Sequence, residues 1–192
     1  MMRRLPARLR TRPSLQLVVT LVLALIIAYG VQRWIVGFFR VPTASMSRTL
    51  LPGDRLLAAR FWYAIERPSR GDIVILHPNG SGDKLFYGDS VSRRVFVKRV
   101  IGLPGESIEA RHGRIYICTG PGASGCLPLN EPYVSGTTQT FGPISVPPGR
   151  YFVMGDNRKE SQDSRIWGPV RRSQMLGRAF GLAWPPLRIR FF

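Results

Sequence analysis

Residues 15–31, LQLVVTLVLALIIAYGV, run for 17 positions without a charge. A helix crossing the hydrocarbon core of a bilayer needs about 20 apolar residues. Gln32 and Arg33 interrupt the run, and WIVGFF at 34–39 extends its apolar character, so 15–35 is expected to be a transmembrane anchor. A cleavable secretory leader has an apolar segment of roughly 7–15 residues that ends at a small-x-small site. This run is longer, Ala24 and Ala28 lie inside it, and no tidy cleavage site follows. The preceding segment, 1–14, carries Arg3, Arg4, Arg8, Arg10 and Arg12 and no acid. The bias of arginine toward the cytoplasmic side then keeps 1–14 inside as a basic tail. Residues 40–192 are sent across as an extracytoplasmic domain, with Trp34, Phe38 and Phe39 at the far interface. The expectation is a single-pass protein with its N-terminus in the cytoplasm.

The net charge is +17, from 28 Lys+Arg against 11 Asp+Glu. Such an excess calls for a polyanionic neighbour, nucleic acid or an anionic membrane surface. After residue 40 there is no helix-turn-helix pattern, zinc spacing or aromatic RNP signature, so a basic face against the lipid bilayer is expected and no nucleic-acid partner.

Beyond residue 40 the pattern changes to short stretches rich in β-branched and aromatic residues. These are DIVIL (72–76), RRVFVKRVIGL (93–103), SIEA (107–110), GRIYICT (113–119) and YFVM (151–154). Turn signals separate them: PGD at 52–54, HPNGSGD at 77–83, LPGE at 103–106, RHG at 111–113 and PPG at 147–149. The expected fold is mostly β, an antiparallel coiled-sheet, barrel-like domain over 40–192, preceded by the one helix. Short helical turns are expected near 44–50 and 160–165, where hydroxyls, Asp and Asn offer caps. Cys118 and Cys126 bracket CTGPGASGC. They are either two free thiols or a disulfide stapling a Gly-rich loop, and the oxidising side of a membrane favours the bridge.

The chemistry has few carriers. There are two histidines, His77 and His112, both in turn-like sequence, and no GxSxG elbow, so a Ser-His-Asp site has little to build on. No metal-ligand spacing occurs, and no cofactor is expected. Lysine is scarce: Lys84, Lys98 and Lys159 against 25 arginines. Lys98 stands inside the apolar run VFVKRVIGL, where strand alternation puts Lys98 and Arg99 on opposite faces. An ordinary lysine is protonated at neutral pH, but burial disfavours the ammonium and lowers its pKa. Lys98 is thus either a buried base or a strand-edge residue that snorkels to water. The segment VPTASMSRTLLPGDRLL (41–57) clusters Thr43, Ser45, Ser47 and Thr49 before a PGD turn, as a linker or as an ordered loop would. GDNRKESQDSR (155–165) is dense in hydrogen-bonding groups, which satisfy their own backbone or orient a catalytic residue.

Together, PTASMSRTLLPGD, RGDIVIL (70–76), VKRVIGLPGE (97–106) and GDNRKESQDSRIWGPV (155–170) resemble bacterial signal peptidase I, the membrane-anchored Ser/Lys protease that removes signal peptides. The runs fall in that family's order and cover most of 40–192. The resemblance implies that Ser45 attacks the scissile carbonyl and forms an acyl-enzyme, with neutral Lys98 as general base. It implies an oxyanion hole from the Ser45 N–H and the Thr43 hydroxyl, and a hydrogen bond from Ser161 to the Lys98 amine. Asp163 and Arg165 would pair beneath the site with Arg99 close by. The substrate, the signal peptide of a secreted preprotein, would lie extended between about 39–43 and 95–98. Its alanine-sized residues of an Ala-x-Ala site would enter a small pocket lined by Val41, Pro42, Met46, Leu50, Phe96 and Val97. The expected setting is the bacterial inner (plasma) membrane, with the protein a monomer there. One departure is Arg48, where the family motif Ser-Met-x-Pro-Thr-Leu has proline, a change expected to loosen the loop. The pilin-maturation peptidases of conjugation systems share the chemistry, but the runs from 70 and 97 favour the general enzyme. LexA-like self-cleaving regulators also share the dyad, but here the apolar run occupies the place of their DNA-binding domain.

Overall fold

The computed structural model describes residues 13–30, 36–77, 95–119 and 125–192. The rest of the expected basic tail, residues 31–35 of the expected span, and the centre of the cysteine loop lie outside the described residues. Helix α1 (Pro13–Gly30) forms from the apolar run, which has no Gly or Pro between its ends. Its 18 residues give about 27 Å of helix, less than the ~30 Å of a hydrocarbon core. Among the described residues no helix is long and apolar enough to cross a membrane. Of the expected span over 15–35, the described part up to Gly30 is helical, and a strand begins at Val36, just past its expected end.

The strands are β1 (Val36–Arg40), β2 (Arg55–Ala59), β3 (Ile73–Leu76), β4 (Phe96–Gly102), β5 (Glu106–Arg111), β6 (Arg114–Thr119), β7 (Cys126–Pro128), β8 (Phe141–Ser145), β9 (Arg150–Met154), β10 (Val170–Arg171), β11 (Met175–Trp184) and β12 (Arg190–Phe191). Two short helices, α2 (Trp62–Ile65) and α3 (Ser164–Trp167), sit in connections. Eight strands make a curled sheet in the order β1-β2-β11-β3-β4-β9-β10, with β12 added to β11. Four make a smaller sheet, β7-β6-β5-β8. All these strand pairs are antiparallel. The molecule is therefore mostly β, as the turn-punctuated sequence predicts.

The unbroken apolar run Ile73-Val74-Ile75-Leu76 is buried on both faces. Ile73 and Ile75 join Val41, Met46, Leu50, Leu56, Val97 and Leu182 in one core cluster, while Val74 and Leu76 join Val100, Tyr151 and Val153 in another. A third cluster, with Ile101, Ile108, Ile115 and Phe152, glues the small sheet to the large one. Cys118 on β6 and Cys126 on β7 lie opposite each other and are bonded. Glu109 approaches the two sulfurs, but a disulfide offers no thiolate to a metal.

Candidate active site

Strand β4 carries the lysine. Its register against β3 puts Lys98 opposite Val74, at the middle of the curled sheet. The side chain is 1% exposed. Burial lowers its pKa from 10.5 to about 8, while Asp163 and Asp156 act to raise it and Arg165 to lower it again. Burial outweighs the carboxylates because each of them already has an arginine. At pH 7 about one molecule in ten then holds a neutral amine, against about one in 3,000 for an unperturbed lysine. The sign for stability follows. Between pH 8 and 10.5 the unfolded chain keeps a proton that the folded chain has lost, so stability rises with pH across that window.

The serine arrives on a loop. β1 and β2 are closed by Val41 N–H to Asp54 O and Gly53 N–H to Val41 O. Between them a 3-10 turn, Ala44–Met46, buries Ser45 and Met46. Met46 fills the core cluster and so fixes the turn from below. Lys98 Nζ lies 2.6 Å from Ser45 Oγ as its donor. With the amine neutral, the same contact runs the other way, and the hydroxyl proton has a base to go to. The Thr43 hydroxyl donates to Ser45 Oγ at 3.1 Å.

Segment 155–165 holds both partners. Asn157 N–H donates to Ser45 O and Asn157 Nδ2 to Ala44 O. Asp156 accepts from Arg99 at 2.9 and 2.7 Å and from the Thr49 hydroxyl at 2.5 Å. It thereby ties the strand of the lysine to the loop of the serine. Asp163 pairs with Arg165 through two contacts of 2.8 Å, accepts from Gly155 N–H and caps α3. A methyl group on Gly155 would lie 2.3 Å from Ser161 Oγ and 2.4 Å from Ser45 O, so only glycine fits between the two loops.

Not every expectation is met. Ser161 does not bond the Lys98 amine: its hydroxyl is buried and has no partner, because the amine is turned to Ser45. Of the six pocket candidates, Val41, Met46, Leu50 and Val97 share one cluster. Phe96 packs on another, with its ring 5.6 Å from Lys98 Nζ, and Pro42 is exposed. A recess of about 400 Å³ runs beside Arg40, Val41, Pro42, Pro52 and Gly53. Arg99 is more than a neighbour: it is the main partner of Asp156. Arg48 does not simply loosen its loop. It lies at φ +84, between the Met46 carbonyl and the Thr49 N–H that closes the turn, and proline, fixed near −65°, has no access to that conformation. Thr49 and Asp156 stand in the dense polar segments but carry no sequence signal for the tie between them. Arg158 stands in the same polar segment as Asp156, but its pairing with Glu131 carries no sequence signal, and Glu131 and Tyr133 carry none at all, since their partners are fixed only by the tertiary fold.

Residues 14–184 match the family model "Signal peptidase, peptidase S26". A "Probable signal peptidase I-2" of Synechocystis is 36% identical over 176 residues, covering 91% of this chain and 75% of the relative. "Signal peptidase I" of Leptolyngbya laminosa is 35% identical over 178 residues, covering 92% and 83%. A solved signal peptidase I of Enterococcus faecalis is 32% identical, spans 59% of this chain and 97% of its own, and has a TM-score of 0.45. With the match running from α1 through β11, the chain belongs to the peptidase S26 family of signal peptidases, which are hydrolases.

Proposed function

We propose that the chain cleaves signal peptides from exported preproteins after Ala-x-Ala-type sites, with Ser45 as nucleophile and Lys98 as general base through an acyl-enzyme. The observation that carries this is the 2.6 Å contact between a serine hydroxyl and a buried lysine whose pKa is lowered to about 8. Lys98 takes the Ser45 proton as Oγ attacks the carbonyl, returns it to the leaving amine, and then takes a proton from the deacylating water. The Ser45 N–H and the Thr43 hydroxyl, swung off Oγ by one χ1 rotation, would hold the oxyanion. Ser161, with its hydroxyl unpaired, is kept as a partner for the amine once it is charged.

The backbone supports an extended substrate between two strands. Val100 uses its N–H and C=O toward the Asp72 side, so by alternation those of Val97 and Arg99 face away. Pairing with β9 begins only at Arg99, which leaves Val97 as an open edge among the described residues. Val41 likewise bonds inward, so Arg40 and Pro42 turn their backbone to the free side of β1. A peptide laid across both edges would meet the small apolar wall of Val41, Met46, Leu50 and Val97, which suits alanine-sized residues.

Membrane anchorage by the N-terminal segment belongs to the same proposal. It is supported by the side chains of α1, whose Leu17, Leu25 and Ile27 are 70%, 62% and 64% exposed among the described residues. The catalytic domain would then work on the extracytoplasmic face, beside the lipid.

The experiment is turnover of a preprotein by the full-length chain and its Ser45→Ala variant. Cleavage should fall at least ~10³-fold with the thermal midpoint unchanged. Turnover near that of the parent would remove Ser45 as nucleophile.

A further inference from the structure

Segment 131–136, which reads EPYVSG, leaves β7 in the small sheet and lies across the loops that hold the dyad. Its hydrogen bonds reach into that machinery at several points. Ser135 donates its N–H to Asp156 O at 2.8 Å and accepts from Arg158 N–H at 3.3 Å. Val134 O accepts from Arg48 Nη1 at 3.0 Å, on the far side of the serine turn. Glu131 is ion-paired with the fully buried Arg158. The ring of Tyr133 faces the guanidinium of Arg99, 3.9 Å from ring centroid to carbon. Arg99 stands next to Lys98 in β4 and clamps Asp156, which in turn receives the Thr49 hydroxyl from the serine loop.

We propose that 131–136 is a positioning strap, and that Tyr133, stacked on Arg99, holds the Arg99–Asp156 pair in the alignment that sets Lys98 against Ser45. The inference rests on the Ser/Lys proposal above. Its physical logic is that a guanidinium forked onto a carboxylate spends its hydrogen bonds in its own plane and leaves its faces open to stacking. An aromatic ring on one face keeps the fork coplanar and water off it. The tie at Arg48 fixes the serine turn to the same strap, so one segment spans both halves of the site. Tyr133 touches no reacting atom and is a positioning residue.

The test uses the full-length chain and a reporter peptide with an Ala-x-Ala site, with kcat, KM and thermal midpoint measured for Tyr133→Phe, Tyr133→Leu and Tyr133→Ala. Tyr133→Phe keeps the ring face and should retain kcat within about twofold. Tyr133→Leu keeps cover without a π-face and should lose about fivefold to tenfold, and Tyr133→Ala more than tenfold, each with KM within about twofold. If Tyr133→Leu, which preserves the bulk needed for folding, matches the parent in kcat, the proposal is overturned. It is equally overturned if Tyr133→Phe is as impaired as Tyr133→Ala, since the hydroxyl and not the ring would then matter. A Ser45→Ala control separates the layers. Activity surviving there removes the dyad itself, whereas an inert Ser45→Ala beside unaffected Tyr133 variants removes only the strap.

Discussion

The two halves of the proposed dyad are delivered by opposite means. Lys98 is the third residue of a seven-residue strand, hydrogen-bonded into the sheet and surrounded by core. Ser45 rides a three-residue turn inside a connection between β1 and β2, and what fixes it comes from elsewhere in the chain: Met46 pinned in the core, Asn157 on the carbonyls of Ala44 and Ser45, and Asp156 on Thr49. The proposed base is held by secondary structure, the proposed nucleophile by side chains and a crowded glycine. A strand controls dryness, which is what a lysine base needs. A loop controls aim, which is what an attacking oxygen needs.

That contrast can be attacked from each side. The largest effect is expected on the strand side, where Lys98→Arg keeps length and charge but cannot surrender a proton. Its activity should be at least ~10³-fold down at every pH. The parent rate should climb through about pH 8 as the amine becomes neutral, and a profile flat from pH 6 to 10 would break the assignment of Lys98 as base. Next comes the loop side. Gly155→Ala forces the Ser45 carbonyl or Ser161 to move, and misaiming a nucleophile by about 1 Å costs on the order of 10²-fold. Here kcat should fall with the alkaline limb still at its parent position, because Lys98 stays dry. The smallest effect concerns the turn itself. Arg48→Pro cannot reach φ +84 and should lower stability by roughly 2–3 kcal/mol in a denaturant titration. Arg48→Gly accepts that conformation and should lie within about 1 kcal/mol of the parent.

The same contrast governs how much of the molecule is legible from its residues. β3, β4, β6 and β9 announce themselves as apolar, β-branched runs between turns, and Lys98 is conspicuous because a lone lysine interrupts one of them. β1 is hidden because VGFFR continues the apolar character of the preceding run. β11, the longest strand, is hidden by Gly177 and Gly181, which look like breakers. In the fold, Cβ atoms there would sit 2.8 Å from Ala59 O and 3.1 Å from the Phe191 ring, so the glycines permit close strand approach. Of the site, the residues lying in dense polar segments can be picked out. The pairing of Asp156 with Arg99, 57 positions apart, depends on the register of β4 against β9, which no local pattern encodes. The orphaned hydroxyl of Ser161 is of the same kind, since only assembled loops decide which way the Lys98 amine points.

Each carboxylate near Lys98 comes with its own guanidinium: Asp156 with Arg99, and Asp163 with Arg165. The charges around the amine therefore cancel, leaving Lys98 itself as the one that varies, and being buried it is little screened by dissolved ions. Catalytic tempo in such a cavity responds weakly to ionic strength and strongly to humidity, meaning any ligand, detergent or substitution that admits or expels a few waters around a single amine.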